Sequence, residues 1–131
     1  LNRGGSLFLS QSRIKTNLQV QQALPIQSNI FSLLNSYGLD LQSNLVIDQI
    51  CGRVNVQQQM GPIRMNVPIE YPLLPVIRNF NADESIVAGL EQMQLIFASE
   101  IKQDSASMGS VNFQPLFYTS DNSGELRGIL I

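Results

Sequence analysis

The sequence predicts an α/β fold in which a mixed sheet is layered with few helices and carries a β-hairpin insertion. Three patterns support this prediction. The apolar run Leu45-Val46-Ile47 is typical of a buried strand. Residues 28–38 have the spacing of an amphipathic helix, and residues 53–69 alternate apolar and polar side chains with a period of two.

The first predicted element is a buried strand. Gly4-Gly5 precedes the apolar run Ser6-Leu7-Phe8-Leu9-Ser10, as expected where a helix C-cap leads into a strand that is covered on both faces. Residues 11–27 are rich in amides and contain one proline, which predicts an extended loop or an edge segment.

The clearest helix is predicted next. Ser28 or Asn29 can cap its first turn, and Gly38 supplies the left-handed residue that commonly ends a helix. Apolar residues at helical spacing form one stripe, which consists of Ile30, Leu33, Leu34 and Tyr37.

The hairpin prediction depends on two alternating runs. Val54 and Val56 alternate with polar residues before the turn signature Gln59-Met60-Gly61-Pro62, and Ile63, Met65 and Val67 do so after it. We therefore expect an antiparallel hairpin with one solvated face.

Weaker patterns follow in the second half of the chain. The prolines at 72 and 75 predict a packed but irregular segment over 71–77. We further expect a turn or short helix at 85–90, a strand from Met93 to near Ile101, a polar loop at 102–110, a last strand at 111–118 and a turn at 121–124.

Length and charge limit the function classes. The 131 residues suit a single domain, or a domain fragment of a larger membrane-anchored protein. Only 14% of residues are charged, the net charge is -2, and the surface polarity comes from 14 Gln and 11 Asn. Because the eight basic residues are scattered, we expect no nucleic-acid partner and no membrane contact except through anchors outside this segment.

The chain contains no histidine. A Ser-His-Asp triad, a Cys-His pair and the imidazole-based metal sites therefore cannot be assembled from its own residues. We expect that the protein is not an enzyme and has no catalytic, cofactor-binding or metal-binding residues.

Other candidate sites have ordinary structural interpretations that we favour. Cys51 fits a small buried hydrophobe better than a reactive thiol. The Gly4-Gly5 pair lacks the residues of a phosphate loop. Pairs of acidic residues that could serve in catalysis are expected by chance among ten acids; they are Asp40 with Asp48, which flank one strand, and Asp83 with Glu84. The segment 121–125 is better explained by a turn than by a calcium loop.

One alternative function is left open by the aromatic residues. Tyr71, Phe80, Phe113, Phe117 and Tyr118 could stack on sugar rings while amide side chains bind the hydroxyl groups, as in a carbohydrate-binding module. Aromatic residues at strand spacing more often belong to the core. A glycan is therefore the alternative ligand.

Several short motifs together resemble the ABC-type transport auxiliary family, which includes gliding-motility auxiliary components. The resemblance covers nearly the whole chain. It is carried by Asn2-Arg3-Gly4-Gly5 before the run 6–9, Leu33 to Leu39, Leu45 to Asp48 with Cys51, Glu70 to Pro75, Gln94 to Ile101, and Thr119-Ser120.

The resemblance implies an extracytoplasmic (periplasmic) domain of a membrane-anchored protein that lies beside an ABC-2-type permease or other transporter subunits. It also implies the later part of a Rossmann-like or amidotransferase-like domain without an active site. No catalytic residues carry over. We therefore expect a non-catalytic, interacting auxiliary domain of an ABC-type transport system.

Overall fold

A computed structural model describes residues 4–104 and 111–128 and shows a sheet-rich fold with one short helix among them. The mixed character of the predicted fold is confirmed at this coarse level. The elements, in chain order, are β1 (Ile14–Asn17), β2 (Gln22–Pro25), α1 (Asn29–Ser36), β3 (Leu39–Leu41), β4 (Leu45–Asp48), β5 (Cys51–Met60), β6 (Ile63–Ile77), β7 (Asn79–Phe80), β8 (Met93–Gln94), β9 (Ile101–Gln103), β10 (Phe117–Tyr118) and β11 (Ser123–Leu126).

Helix α1 confirms the strongest helix prediction. The Ser28 hydroxyl accepts a hydrogen bond from the backbone N–H of Ile30 at 3.4 Å, and Gly38 follows the last turn with φ 77°. The buried residue of the helix is Phe31, and Leu33 of the predicted stripe is exposed. The guanidinium of Arg13 covers the Phe31 ring at 4.0 Å, so the helix packs through Phe31, which is not part of the predicted stripe.

The predicted strand at residues 6–10 is wrong. These residues form no strand, and the Phe8 side chain is 91% exposed. The following segment, expected as a loop or edge, forms the antiparallel hairpin of β1 and β2, which pairs Ile14 with Pro25 and Asn17 with Gln22. This hairpin buries Ile14 and Ala23, whereas the apolar run at residues 6–10 buries none of its own side chains.

The core lies where β1, β2, β4 and β6 meet. Its buried residues are Ile14, Ala23, Leu45 and Leu73, and Tyr71 and Phe97 pack against them among others. Strand β11, which the sequence did not predict, pairs with β4 so that Leu126 lies opposite Leu45 and Ser123 opposite Asp48.

The β5–β6 hairpin confirms the period-two prediction. Its register is continuous from Arg53 opposite Glu70 to Met60 opposite Ile63, with the turn at Gly61-Pro62. The irregular segment expected at 71–77 is wrong, because β6 continues through it to Ile77. Its irregularity is confined to a register shift opposite Gly52, where Cys51 pairs with Pro75 and Arg53 with Glu70.

The single strand expected from Met93 to near Ile101 is interrupted. The backbone N–H of Phe97 donates to Leu73 of β6 at 3.2 Å, and the next carbonyl, of Ala98, accepts from Val46 of β4 at 2.8 Å. The segment therefore connects β6 to β4. Phe97 has φ 50°, and this left-handed conformation breaks the strand into the short β8 and β9.

The remaining expectations are met in part. Residues 85–90 form consecutive turns around the buried Val87, and Asp121-Asn122 forms the turn before β11. The strand predicted at 111–118 is limited to β10, which pairs with β7. The expected polar loop at 102–110 starts within β9, and its residues 105–110 lie outside the described residues.

The likeness to a Rossmann or amidotransferase fold is not confirmed. Each strand pairing in the described ranges is antiparallel, whereas a doubly wound fold is built on a parallel sheet with helices on both faces.

Candidate functional site

The β5–β6 hairpin separates apolar and polar side chains onto opposite faces. Residues directly opposite each other in an antiparallel pair lie on the same face, and this face alternates along the strand. We call one side the apolar face; it consists of Val54, Val56, Gln58, Met60, Ile63, Met65, Val67 and Ile69.

The apolar face is exposed to solvent as well as the polar one, so the expectation of a single solvated face is wrong. Met60 is 66% exposed, Ile63 60% and Met65 50%, and these three residues lie at the far end of the hairpin. Val54 and Val67, nearer the body of the protein, are half-buried. A contiguous group of exposed apolar residues in a folded protein usually marks a contact surface.

The polar face of the same hairpin carries four neutral amides, three charged residues and one proline. Gln57 lies opposite Asn66, and Gln59 lies opposite Arg64. The Arg53 guanidinium pairs with the Glu70 carboxylate at 3.3 Å, and both side chains are exposed. Such an exposed pair contributes little to stability.

A second feature is an open groove of about 910 Å³ between residues 10–13, 95–102, 113–119 and 123–125. The groove is lined by three of the five aromatic residues considered for sugar binding, namely Phe113, Phe117 and Tyr118. Phe117 faces Phe80 edge-on, with ring centres 6.4 Å apart.

The other aromatic residue of that set, Tyr71, packs edge-on against Phe97 at 6.3 Å between ring centres. Three of the five rings are therefore engaged in ring pairs, Phe80 with Phe117 and Tyr71 with Phe97. The five do not form one stacking platform. The geometry gives the glycan alternative no support.

Charged residues beside the groove converge on one buried amide. Asn44 is 1% exposed; its Nδ2 donates to Glu100 Oε2 at 3.1 Å and to Glu125 Oε2, and its Oδ1 accepts from the Glu100 backbone N–H at 3.1 Å. Lys102 pairs with Glu100 and Arg127 with Glu125. Hydrogen bonds from Arg127 and then from Asn44 lower the pKa of Glu125.

Asp48 is the buried carboxylate at the end of β4. It is 2% exposed and accepts hydrogen bonds from the Ser120 hydroxyl at 2.5 Å, the Ser120 backbone N–H at 2.8 Å and the Ile50 backbone N–H at 2.9 Å. Burial raises its pKa, but the hydrogen bonds from Ser120 and from the backbone outweigh burial and lower it below 3.8. Asp48 therefore holds the segment before β11 against β4.

The other sequence candidates lie apart. Cys51 is half-buried at the start of β5. The Asp40 carboxylate accepts a hydrogen bond from the Gln42 side chain at 2.5 Å, and the Asn81 side chain accepts one from the backbone N–H of Asp83. Gly4 and Gly5 are exposed. Within residues 4–104 and 111–128, no three acidic or cysteine side chains come together as a metal site would require.

The alternating sequence pattern predicts the hairpin but neither the exposure of its apolar face nor the groove. The alternation of β5 and β6 identifies the faces, but only the three-dimensional packing shows that the body of the protein leaves the apolar one uncovered. No helix in the described part is long and apolar enough to cross a bilayer.

The model of a family described as an ABC-type uncharacterized transport system matches residues 1–129. Comparison with curated proteins and with solved structures finds no match.

Proposed function

Because the chain belongs to the ABC-type uncharacterized transport system family, as an auxiliary component, we propose that it is a non-catalytic interaction domain of such a system. It contacts a transporter subunit through the apolar face of the β5–β6 hairpin. We place the domain on the extracytoplasmic side, next to an ABC-2-type permease, as the sequence resemblance implies.

The exposed apolar face carries this proposal. Burying a fully exposed apolar side chain contributes roughly 1.5–3 kcal/mol. Met60, Ile63 and Met65 are 66%, 60% and 50% exposed, so each can contribute about half of that in a complex. The face contains no charged side chain, so docking it on an apolar surface desolvates no ion. A long hairpin with one apolar face is therefore suited to contact a protein.

A non-catalytic role is consistent with the chemistry of the chain. Its 131 residues contain no histidine, and Asp48, Glu100 and Glu125 are held by hydrogen bonds to neighbouring residues. A catalytic carboxylate usually needs a pKa moved towards neutrality, whereas those of Asp48 and Glu125 are lowered.

The test compares two substitutions at neighbouring positions on opposite faces. Met65→Asp places a charge on the apolar face, and Asn66→Asp places the same charge on the polar face. Each protein is produced together with its transport system, and the transporter subunits that co-purify from detergent extracts are quantified.

We expect Met65→Asp to reduce co-purification by at least about tenfold, because an unpaired charge is then buried in the contact, and Asn66→Asp to leave it unchanged. Equal co-purification with both variants would contradict the proposed surface. Co-purification of no transporter subunit with the unsubstituted protein would contradict the proposed function.

A further inference from the structure

The outer edge of β5 differs from the outer edge of β6. Pro68 has no backbone N–H, yet it lies opposite Asn55 within a regular ladder. The ladder bonds on either side must then be exchanged by the pairs Val54–Ile69 and Val56–Val67. Alternation places the backbone groups of Asn55 and Pro68 on the outer edges of the hairpin.

The same alternation assigns the other outward groups. On β5 the backbone N–H and C=O groups of Asn55, Gln57 and Gln59 point away from β6. On β6 the outward residues are Arg64, Asn66 and Pro68, so proline interrupts the row of donors. Among the described strands, none pairs with the outer edge of β5.

We propose that this edge of β5 pairs with β5 of a second copy of the chain, antiparallel, with Gln57 opposite Gln57. The two hairpins then form one four-stranded sheet. In this register Asn55 of each copy lies opposite Gln59 of the other, and the outward groups of all three residues exchange hydrogen bonds.

The charges and faces of β5 fit this self-pairing. Arg53 is the one charged residue of Cys51–Met60, and in this register it lies opposite Gly61 of the second copy, so no like charges oppose each other. Val54 lies opposite Met60 and Val56 opposite Gln58. The two apolar faces therefore join into one wider apolar face, with the polar faces together on the other side.

This proposal does not depend on the transport-system contact, because it uses the edge of the hairpin and leaves the apolar face free. β6 is a poor edge for the same purpose, since Pro68 removes a donor at its centre.

The experiment is disulfide trapping of the protein in the membranes of producing cells. Gln57→Cys and Asn66→Cys are each made with Cys51→Ser, so that one thiol is present among these 131 residues, and mild oxidation is followed by non-reducing electrophoresis. Directly opposed, hydrogen-bonded residues of antiparallel strands have Cα atoms about 5.5 Å apart, within the range that a disulfide bridges. Gln57 and Asn66 are both exposed, so Asn66→Cys is a matched control.

We expect a covalent dimer with Gln57→Cys and none with Asn66→Cys. In the Gln57→Cys protein, adding Asn55→Pro removes an outward donor from each copy and should lower the dimer yield about tenfold, whereas adding Asn66→Pro should not change it. Circular dichroism of the purified variants is the control that checks whether each variant is folded.

Dimers of equal yield from both cysteines would overturn the proposal, as would their absence from both. A band joining Gln57→Cys to another protein, without a homodimer, would also overturn it and assign the edge to a different chain.

Discussion

Ser120 donates two hydrogen bonds to the buried carboxylate of Asp48, from its hydroxyl at 2.5 Å and from its backbone N–H at 2.8 Å. This contact joins residues that are 72 positions apart and fixes the turn before β11 at the end of β4. The fold therefore depends on an ionised carboxylate at this junction.

The first prediction concerns acid stability. The pKa of Asp48 is lower in the folded protein than its ordinary value of 3.8, so its contribution to stability is complete above that value. As the pH falls below 3.8 towards the lower pKa that Asp48 has in the folded protein, the unfolded chain binds a proton at Asp48 that the folded chain does not, and stability is lost. Urea unfolding at pH 3 to 7 should show a stability loss near pH 3 that is smaller in Asp48→Asn.

The same substitution should destabilise the protein at pH 7 by about 1–3 kcal/mol, because the amide cannot accept all the hydrogen bonds that the carboxylate accepts. Asp121→Asn, at an exposed turn position, is the control and should change stability by less than about 0.5 kcal/mol. Equal pH dependence in Asp48→Asn and the unsubstituted protein would contradict the role of this carboxylate.

The second prediction concerns Asn44. Its amide separates the carboxylates of Glu100 and Glu125, so Asn44→Asp places a third acid between them and removes the donor. We expect a loss of about 3–5 kcal/mol in the free energy of unfolding, as for an unpaired buried charge. Asn35→Asp, on the exposed side of α1, is the comparison and should be close to neutral.

The third prediction concerns the turn between β1 and β2. Gln21 has φ 50°, a conformation that costs non-glycine residues roughly 1 kcal/mol or more. Gln21→Gly should therefore raise the melting temperature, whereas Gln19→Gly, in the same turn without a positive φ, should lower it or leave it unchanged. A lower melting temperature for Gln21→Gly would show that the turn stores no such strain.

The fourth prediction concerns the side of the membrane. Ser32→Cys, at an exposed position of α1, combined with Cys51→Ser, gives one accessible thiol away from the hairpin. A membrane-impermeant maleimide should label it in intact cells whose outer barrier has been permeabilised. Labelling only after lysis of the inner membrane would contradict an extracytoplasmic domain.

Local patterns predicted the elements whose stability is local. The cap at Ser28 and the glycine at Gly38 identify α1, and the alternation around Gly61-Pro62 identifies the β5–β6 hairpin, because capping and turn chemistry act within a few residues. The family resemblance was also recognisable from short motifs distributed along the chain.

Features that depend on distant residues were not predictable in this way. Leu7-Phe8-Leu9 has the composition of a buried strand, but nothing in a local pattern shows whether another element covers it. Ser123–Leu126 lacks apolar alternation and becomes strand β11 because β4 supplies its hydrogen bonds. The Asn44 and Asp48 contacts join residues more than 50 positions apart, which no spacing rule detects.

The proposed contact between the apolar face of the β5–β6 hairpin and a transporter subunit can be trapped covalently. The most direct measurement places a photo-crosslinking amino acid at Met65, or at Asn66 on the opposite face, in the protein assembled with its transport system in membranes. We expect an ultraviolet-dependent adduct with a transporter subunit from position 65 and none from position 66. Adducts from position 66 alone, or from neither position, would contradict the proposed contact.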